Sequence, residues 1–293
     1  MRKLFLLLLI FSSKIVAAQD FPDMRSWAIY GDSTERYIFS DTAFIRSSPD
    51  TKQPPIDTLL AGDNILVLNV TNKPLTIRGI KGPWLKINYT KNGEQKNGYV
   101  WQGLISCAPL RRGDTKFVYG IERRADSIAI DGKKRDTIPQ FLVRLKVVQN
   151  GKIITKSSLI VSDDESANFS GGKIMSGMGL SNVQNIIILS FSGEACGIPT
   201  YDYYFAWTAD SKLVQLPHKT SIGDADVFYH SENFIFPNEK NGKPDLIVWE
   251  MSTEEATEKV DKNGLSIMKV TGRGKTTYQW DGVNGTITEI KGK

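Results

Sequence analysis

The stretch that decides the fold is Asp41-Thr-Ala-Phe-Ile-Arg-Ser-Ser-Pro49, followed by Thr58-Leu-Leu-Ala-Gly-Asp63, Gly82-Pro-Trp-Leu-Lys-Ile87, Gly98-Tyr-Val-Trp101 and Leu104-Ile-Ser106. Short runs of β-branched and aromatic residues alternate with turn residues, which in one dimension is a small, strongly bent β-barrel. Ile65-Leu-Val-Leu-Asn-Val70 is its most apolar strand and should cross the middle. Pro49, Pro54 and Pro55 keep the first loop out of helix and out of ladder pairing. Lys91-Asn-Gly93 predicts a hairpin between Trp84–Tyr89 and Gly98–Trp101, because Asn-Gly accepts the positive φ values that a tight turn requires.

In order and spacing these pieces resemble the bacterial SH3-like domain, whose pattern runs N-V-R-S-x-P, L-x-x-G-D, W-x-K-V, G-W-V and a closing L. The matching residues are Phe44-Ile-Arg-Ser-Ser-Pro49, Leu60-Ala-Gly-Asp63, Trp84-Leu-Lys-Ile87 and Gly98-Tyr-Val100. The resemblance implies a binding barrel that recognises cell-wall peptides outside the cytoplasm. The chain departs from the pattern at Thr71–Lys81, where a tight turn is replaced by an insertion with a further short strand at Leu75-Thr-Ile77.

Outward from the barrel, the N-terminus reads as an export signal. Met1-Arg-Lys3 is a charged lead, Leu4–Phe11 an apolar run and Val16-Ala-Ala18 a small-residue cleavage site. The apolar run is too short for a permanent bilayer span, so the expected product is secreted or periplasmic, without stable membrane insertion. Three positive charges leave with residues 1–18, which contain no acid. The formal net charge of +5 thereby drops to +2, too little to argue for nucleic acid or an acidic membrane surface. Residues 19–40 read as an arm of mixed polarity. Cys107 and Cys196 remain, and in an oxidising compartment they form either one disulfide or two separate buried thiols.

Residues 41–107 are thus assigned to the SH3-like domain, 108–115 to a polar linker containing Pro109 and Arg111-Arg-Gly-Asp114, and 116–293 to a second β-rich domain. The Arg112-Gly113-Asp114 triplet is a chance match at this length. The whole chain is expected to be all-β, the second part a partial propeller or a sandwich of antiparallel hairpins. Ser252–Val260 alone reads as one exposed helical turn or a charged loop. Two units repeat: Asn185–Leu189, Tyr203–Trp207 and Asp210–Val214, then Pro244–Val248, Tyr278–Trp280 and Asp281–Ile287. The second unit, with Asn238-Glu-Lys-Asn-Gly242, resembles FG-GAP or VCBS-type repeats. Those repeats imply a calcium loop, but Asn238 and Lys240 stand where carboxylates belong, and a lysine opposes a hard cation.

Candidate ligand-binding residues are the aromatics Trp84, Tyr89, Tyr99 and Trp101, with Tyr99 and Trp101 on one strand face. The competing assignment is that they fill a small core. A second candidate patch is Tyr229, His230 and Glu232, against a buried strand with a hydrogen-bonded histidine. Glu194-Ala-Cys196-Gly197 with His218 and His230 invites a thiol hydrolase, yet no helix start follows Cys196 to activate it. Asp163-Asp-Glu165 and Asp224-Ala-Asp226 read as solvated turns. Two histidines without ligand spacing give no zinc signature. No catalytic residue, metal or cofactor is therefore assigned. The expected function is an exported, non-catalytic binder of a cell-wall peptide or glycan or of an envelope protein, with an envelope hydrolase as the alternative.

Overall fold

The computed structural model describes residues 34–132, 134–193 and 195–291, so the export signal and residues 19–33 of the arm lie outside the described residues. The fold is all-β and antiparallel. Strands β1 (Thr34–Tyr37), β2 (Thr42–Arg46), β3 (Pro55–Leu60), β4 (Asn64–Ile77), β5 (Ile80–Lys91) and β6 (Glu94–Trp101) make a six-stranded half-barrel, in the order β1-β4-β5-β6-β2-β3. Ile45, Leu59, Val67, Leu85, Ile87 and Val100 fill its interior. Gly98 is dictated by a close approach: a Cβ there would lie 2.3 Å from Ile45 Cγ2, where β6 passes β2. Asn92 and Gly93 both take positive φ, as the expected β5–β6 hairpin requires.

Two sequence expectations for this sheet need correction. The end of the arm is a strand, because Thr34–Tyr37 pairs with β4 and delivers Ile38 and Phe39 to buried positions. The insertion at 71–81 is no loop with a separate strand. It lengthens β4 and β5 into one hairpin, bulged between Val70 and Pro74 and turned by Arg78 (φ +53°) and Gly79 (φ +77°).

The next sheet contains β7 (Leu110–Arg112), β8 (Thr115–Arg124), β11 (Gln140–Gln149) and β12 (Lys152–Ser162), ordered β12-β11-β8-β7. A side hairpin of β9 (Ser127–Asp131) and β10 (Lys134–Ile138) leaves it between β8 and β11. The expected linker is therefore corrected. Residues 106–109 lie outside strand, but Leu110 is buried and pairs with Phe117.

The remaining strands are β13 (Phe169–Ser176), β14 (Val183–Ser192), β15 (Thr200–Thr208), β16 (Leu213–Gln215), β17 (Lys219–Asp224), β18 (Phe228–Ile235), β19 (Leu246–Val260), β20 (Ser266–Asp281) and β21 (Thr286–Ile290). They form one nine-stranded sheet, with β16 paired to β15 off its main path. The repeated units are the meanders β14-β15-β16 and β19-β20-β21, and the sheet folds over so that they face each other. Ile186, Ile188, Tyr204 and Ala206 of the first pack on Ile247 and Trp280 of the second. Trp280 Nε1 donates to Ser181 O at 2.8 Å and Asn182 Nδ2 to Gly282 O at 2.9 Å, locking the two ends. Ser252–Val260 is strand, not a helical turn. Its Glu and Ala residues favour helix locally, but pairing with β20, including Glu255 opposite Lys269, overrides that preference.

The four-stranded sheet is the middle layer. One face (Phe117, Tyr119, Val143, Leu145) packs with Phe191, Phe205 and Trp207 of the nine-stranded sheet. The opposite face (Val118, Val148) packs with Tyr37 and Phe39 of the half-barrel. Acid stability should follow from carboxylates in the turns of the nine-stranded sheet. Asp210, hydrogen-bonded first by Lys212, and Asp261 and Asp281, each accepting backbone N–H groups in its turn, are all held below the usual carboxylate range of 3.8. Asp41 is lowered likewise by Lys146. Between their folded values and 3.8 the unfolded chain binds more protons, so this stability is complete above about pH 4 and is lost as pH falls further. Melting temperatures should stay level from pH 7 to 5 and drop steadily from pH 4 to 2, and an unchanged value at the acid end would refute the assignment.

Candidate functional site

Alternation along β11 puts Val143, Leu145 and Val147 into one core and leaves Arg144 and Lys146 on the face toward the half-barrel. The half-barrel covers only part of that face. Where it stops, a cleft of about 320 Å³ opens, at the lower end of the size range of ligand pockets. One wall is Arg144 and Lys146 of β11, Lys156 of β12 and Glu122 of β8. The other wall is Phe39, Asp41, Leu104, Trp101 and the hairpin tip Ile77-Arg78. The insertion in β4–β5 thus builds one side of the cleft. Its tip is fixed to the sheet, for Arg124 N donates to Arg78 O at 3.0 Å.

Four cationic side chains face two carboxylates in this cleft. Lys146 Nζ donates to Phe39 O at 2.5 Å and to Asp41 Oδ1 at 2.8 Å, and stands 4.4 Å from the centre of the Phe39 ring. The pair is lopsided: the lysine side chain is 7% exposed and the aspartate 63%. Burial lowers the Lys146 pKa and Asp41 opposes that shift, while the lysine hydrogen bond lowers Asp41. A buried cation so placed is compensated by a carbonyl, a ring face and a carboxylate together, since a single screened partner would not offset its desolvation. Arg144 grips Glu122 through both Nε (2.7 Å) and Nη2 (2.5 Å). Among the described residues neither Arg78 nor Lys156 is ion-paired.

The aromatic candidates divide by strand face. Tyr89 lies inside the half-barrel, its phenol pushed up to about 12 by desolvation, with Asp57 adding to the shift. Trp84, Tyr99 and Trp101 lie on the outer face, as alternation predicts, but the chain itself covers that face. Trp84 and Trp101 belong to the core shared with the middle layer, and Tyr99 packs half-buried against it. The expected open aromatic groove is therefore corrected to a seam. Of the four, only Trp101 borders the cleft, and its Nε1 is shared between Leu75 O and Gly82 O, both at 3.0 Å.

In the second patch β18 brings His230 and Glu232 together on one face and puts Tyr229, 40% exposed, on the other. Glu232 Oε2 accepts from Thr220 N (2.7 Å) and Trp249 Nε1 (3.1 Å), and Oε1 lies 3.1 Å from His230 Nε2. His230 Nδ1 lies 3.0 Å from Thr253 Oγ1. These bonds tie β17, β18 and β19 together and leave the two groups little capacity for a ligand. Cys107 is buried, its thiol pushed up to about 12 by desolvation, and Cys196 is exposed, so the two are separate free thiols. His218 stacks on Tyr203 with centroids 5.6 Å apart. Asp164 caps a short 3-10 turn through Ser166 N at 2.9 Å, and Asp224–Asp226 form the β17–β18 turn.

Asp41, Arg78, Glu122, Arg144, Lys146 and Lys156 were not singled out from sequence, because three strands, a hairpin tip and a loop far apart in the chain supply them. One signal was present: two cations spaced i, i+2 inside the apolar run Phe141–Val148. Comparison with protein-family models, curated proteins and solved structures gave no match to this chain.

Proposed function

We propose that this chain is an exported, non-catalytic binding protein of the cell envelope, which recognises a cell-wall peptide or an envelope protein in the seam between its SH3-like half-barrel and the sheet behind it. The carrying observation is the cleft itself, with surplus positive charge, an apolar border from Phe39, Ile77 and Leu104, and walls drawn from both sheets. Its two most buried cations, Lys146 and Arg144, are engaged by Asp41 and Glu122. Export rests on the residue 1–18 pattern.

Mixed with purified sacculi, the mature protein should sediment with the wall material and release no soluble fragments. Supernatant protein unchanged by sacculi removes the wall from the proposal and leaves an envelope protein as the partner to be sought. Soluble fragments that vanish on Cys196→Ala or Asp224→Ala would establish the hydrolase alternative instead.

A further inference from the structure

Within the cleft, Arg144 is engaged by Glu122 and Lys146 by Asp41 and Phe39 O, which leaves Arg78 on one wall and Lys156 on the other. Two cations that make no salt bridge among the described residues and border one cavity, Lys156 within the field of Asp41, can grip an anion between them. We infer that the cleft takes an extended peptide bearing a carboxylate, with that carboxylate between Arg78 and Lys156 and an adjoining apolar side chain on the shelf formed by Leu142 and Ile160. This rests on the seam being the binding site proposed above.

Three features select that chemistry. Arg78 offers a planar fork suited to a carboxylate, and its backbone is already pinned by Arg124, so little order has to be imposed on binding. Asp41 and Glu122 border the same space, with side chains 63% and 29% exposed, so a dianionic phosphate meets more repulsion there than a single carboxylate does. Beyond Arg144 and Lys156 the same face continues as Leu142 paired with Ile160, and Ile160 is 43% exposed. That strip is apolar and open, which suits a peptide side chain better than a free inorganic anion.

The test uses the full mature chain and two labelled synthetic peptides, one with a glutamate between leucines and one with glutamine in its place. Fluorescence anisotropy should show the glutamate peptide binding about tenfold tighter or better, with the difference shrinking as salt is raised. The double variant Arg78→Asn, Lys156→Gln should abolish the difference. Asparagine tolerates the positive φ at position 78, and residue 156 is exposed on a strand, so melting temperature should be kept. Equal affinity for the two peptides, or an unchanged preference in the double variant, overturns the clamp. The two levels separate cleanly. If the double variant sediments with sacculi as well as the wild type does, the clamp fails while envelope binding stands. If the glutamate preference holds but sacculi retain nothing, the clamp stands and wall binding fails.

Discussion

Replacing Gly120 by valine should prise the half-barrel off the middle sheet and lower stability by about 3 kcal/mol, the upper end of what overpacking usually costs. A Cβ at residue 120 would lie 2.8 Å from Phe39 Cγ and 3.0 and 3.1 Å from its two Cδ atoms. Those atoms are the root of a buried ring, with Tyr37, Val118 and Val148 in the same cluster and the Lys146 ammonium 4.4 Å away. The ring therefore cannot swing aside. Strand β8 cannot retreat either, because Phe117, Val118, Tyr119 and Ile121 bury both its faces. Melting should fall by roughly 5–10 °C for a chain of this size. Pairing the change with Phe39→Ala should cost less than the two losses added, since the clash needs both partners. Strict additivity, or a valine variant that melts with the wild type, would show that the seam yields easily.

The same contact explains why the half-barrel was legible in the sequence while the site was not. Turn chemistry is local: Asn92-Gly93 and Leu60-Ala-Gly-Asp63 declare themselves, the latter closed by Leu60 N donating to Asp63 Oδ2 at 2.8 Å. Strand alternation is also local, so Tyr99 and Trp101 could be put on one face without coordinates. What lies over that face is not local. For Trp84 and Trp101 a ligand groove and a filled core both stayed open, because nothing near them in the chain announces Phe117, Val143 or Ile187, which share their core. The cleft has the same difficulty, since it arises where two sheets stop covering each other, and the pairing of sheets is a property of the assembled layers. Ser252–Val260 failed for a related reason: its helix-forming residues are outvoted by partners in β18 and β20.

Trp101→Ala should be the most damaging single truncation on the outer face of the half-barrel, by about 3–5 kcal/mol. The indole is almost wholly buried and joins the half-barrel to the middle layer. Its Nε1 also holds the carbonyls of Leu75 and Gly82, which face each other across β4 and β5, so the loss of one donor releases two acceptors. Trp101→Phe keeps most of the apolar contact and removes only that donor, and should fall between, at about 1–3 kcal/mol. Ile77 and Arg78 sit at the end of the hairpin that this donor braces, so the glutamate preference should weaken in the phenylalanine variant even while it remains folded. Urea unfolding with peptide titration on the same samples separates the roles. A tryptophan that served only as a ligand platform would give wild-type stability with poor binding, and that outcome would move Trp101 out of the core and back into an open groove.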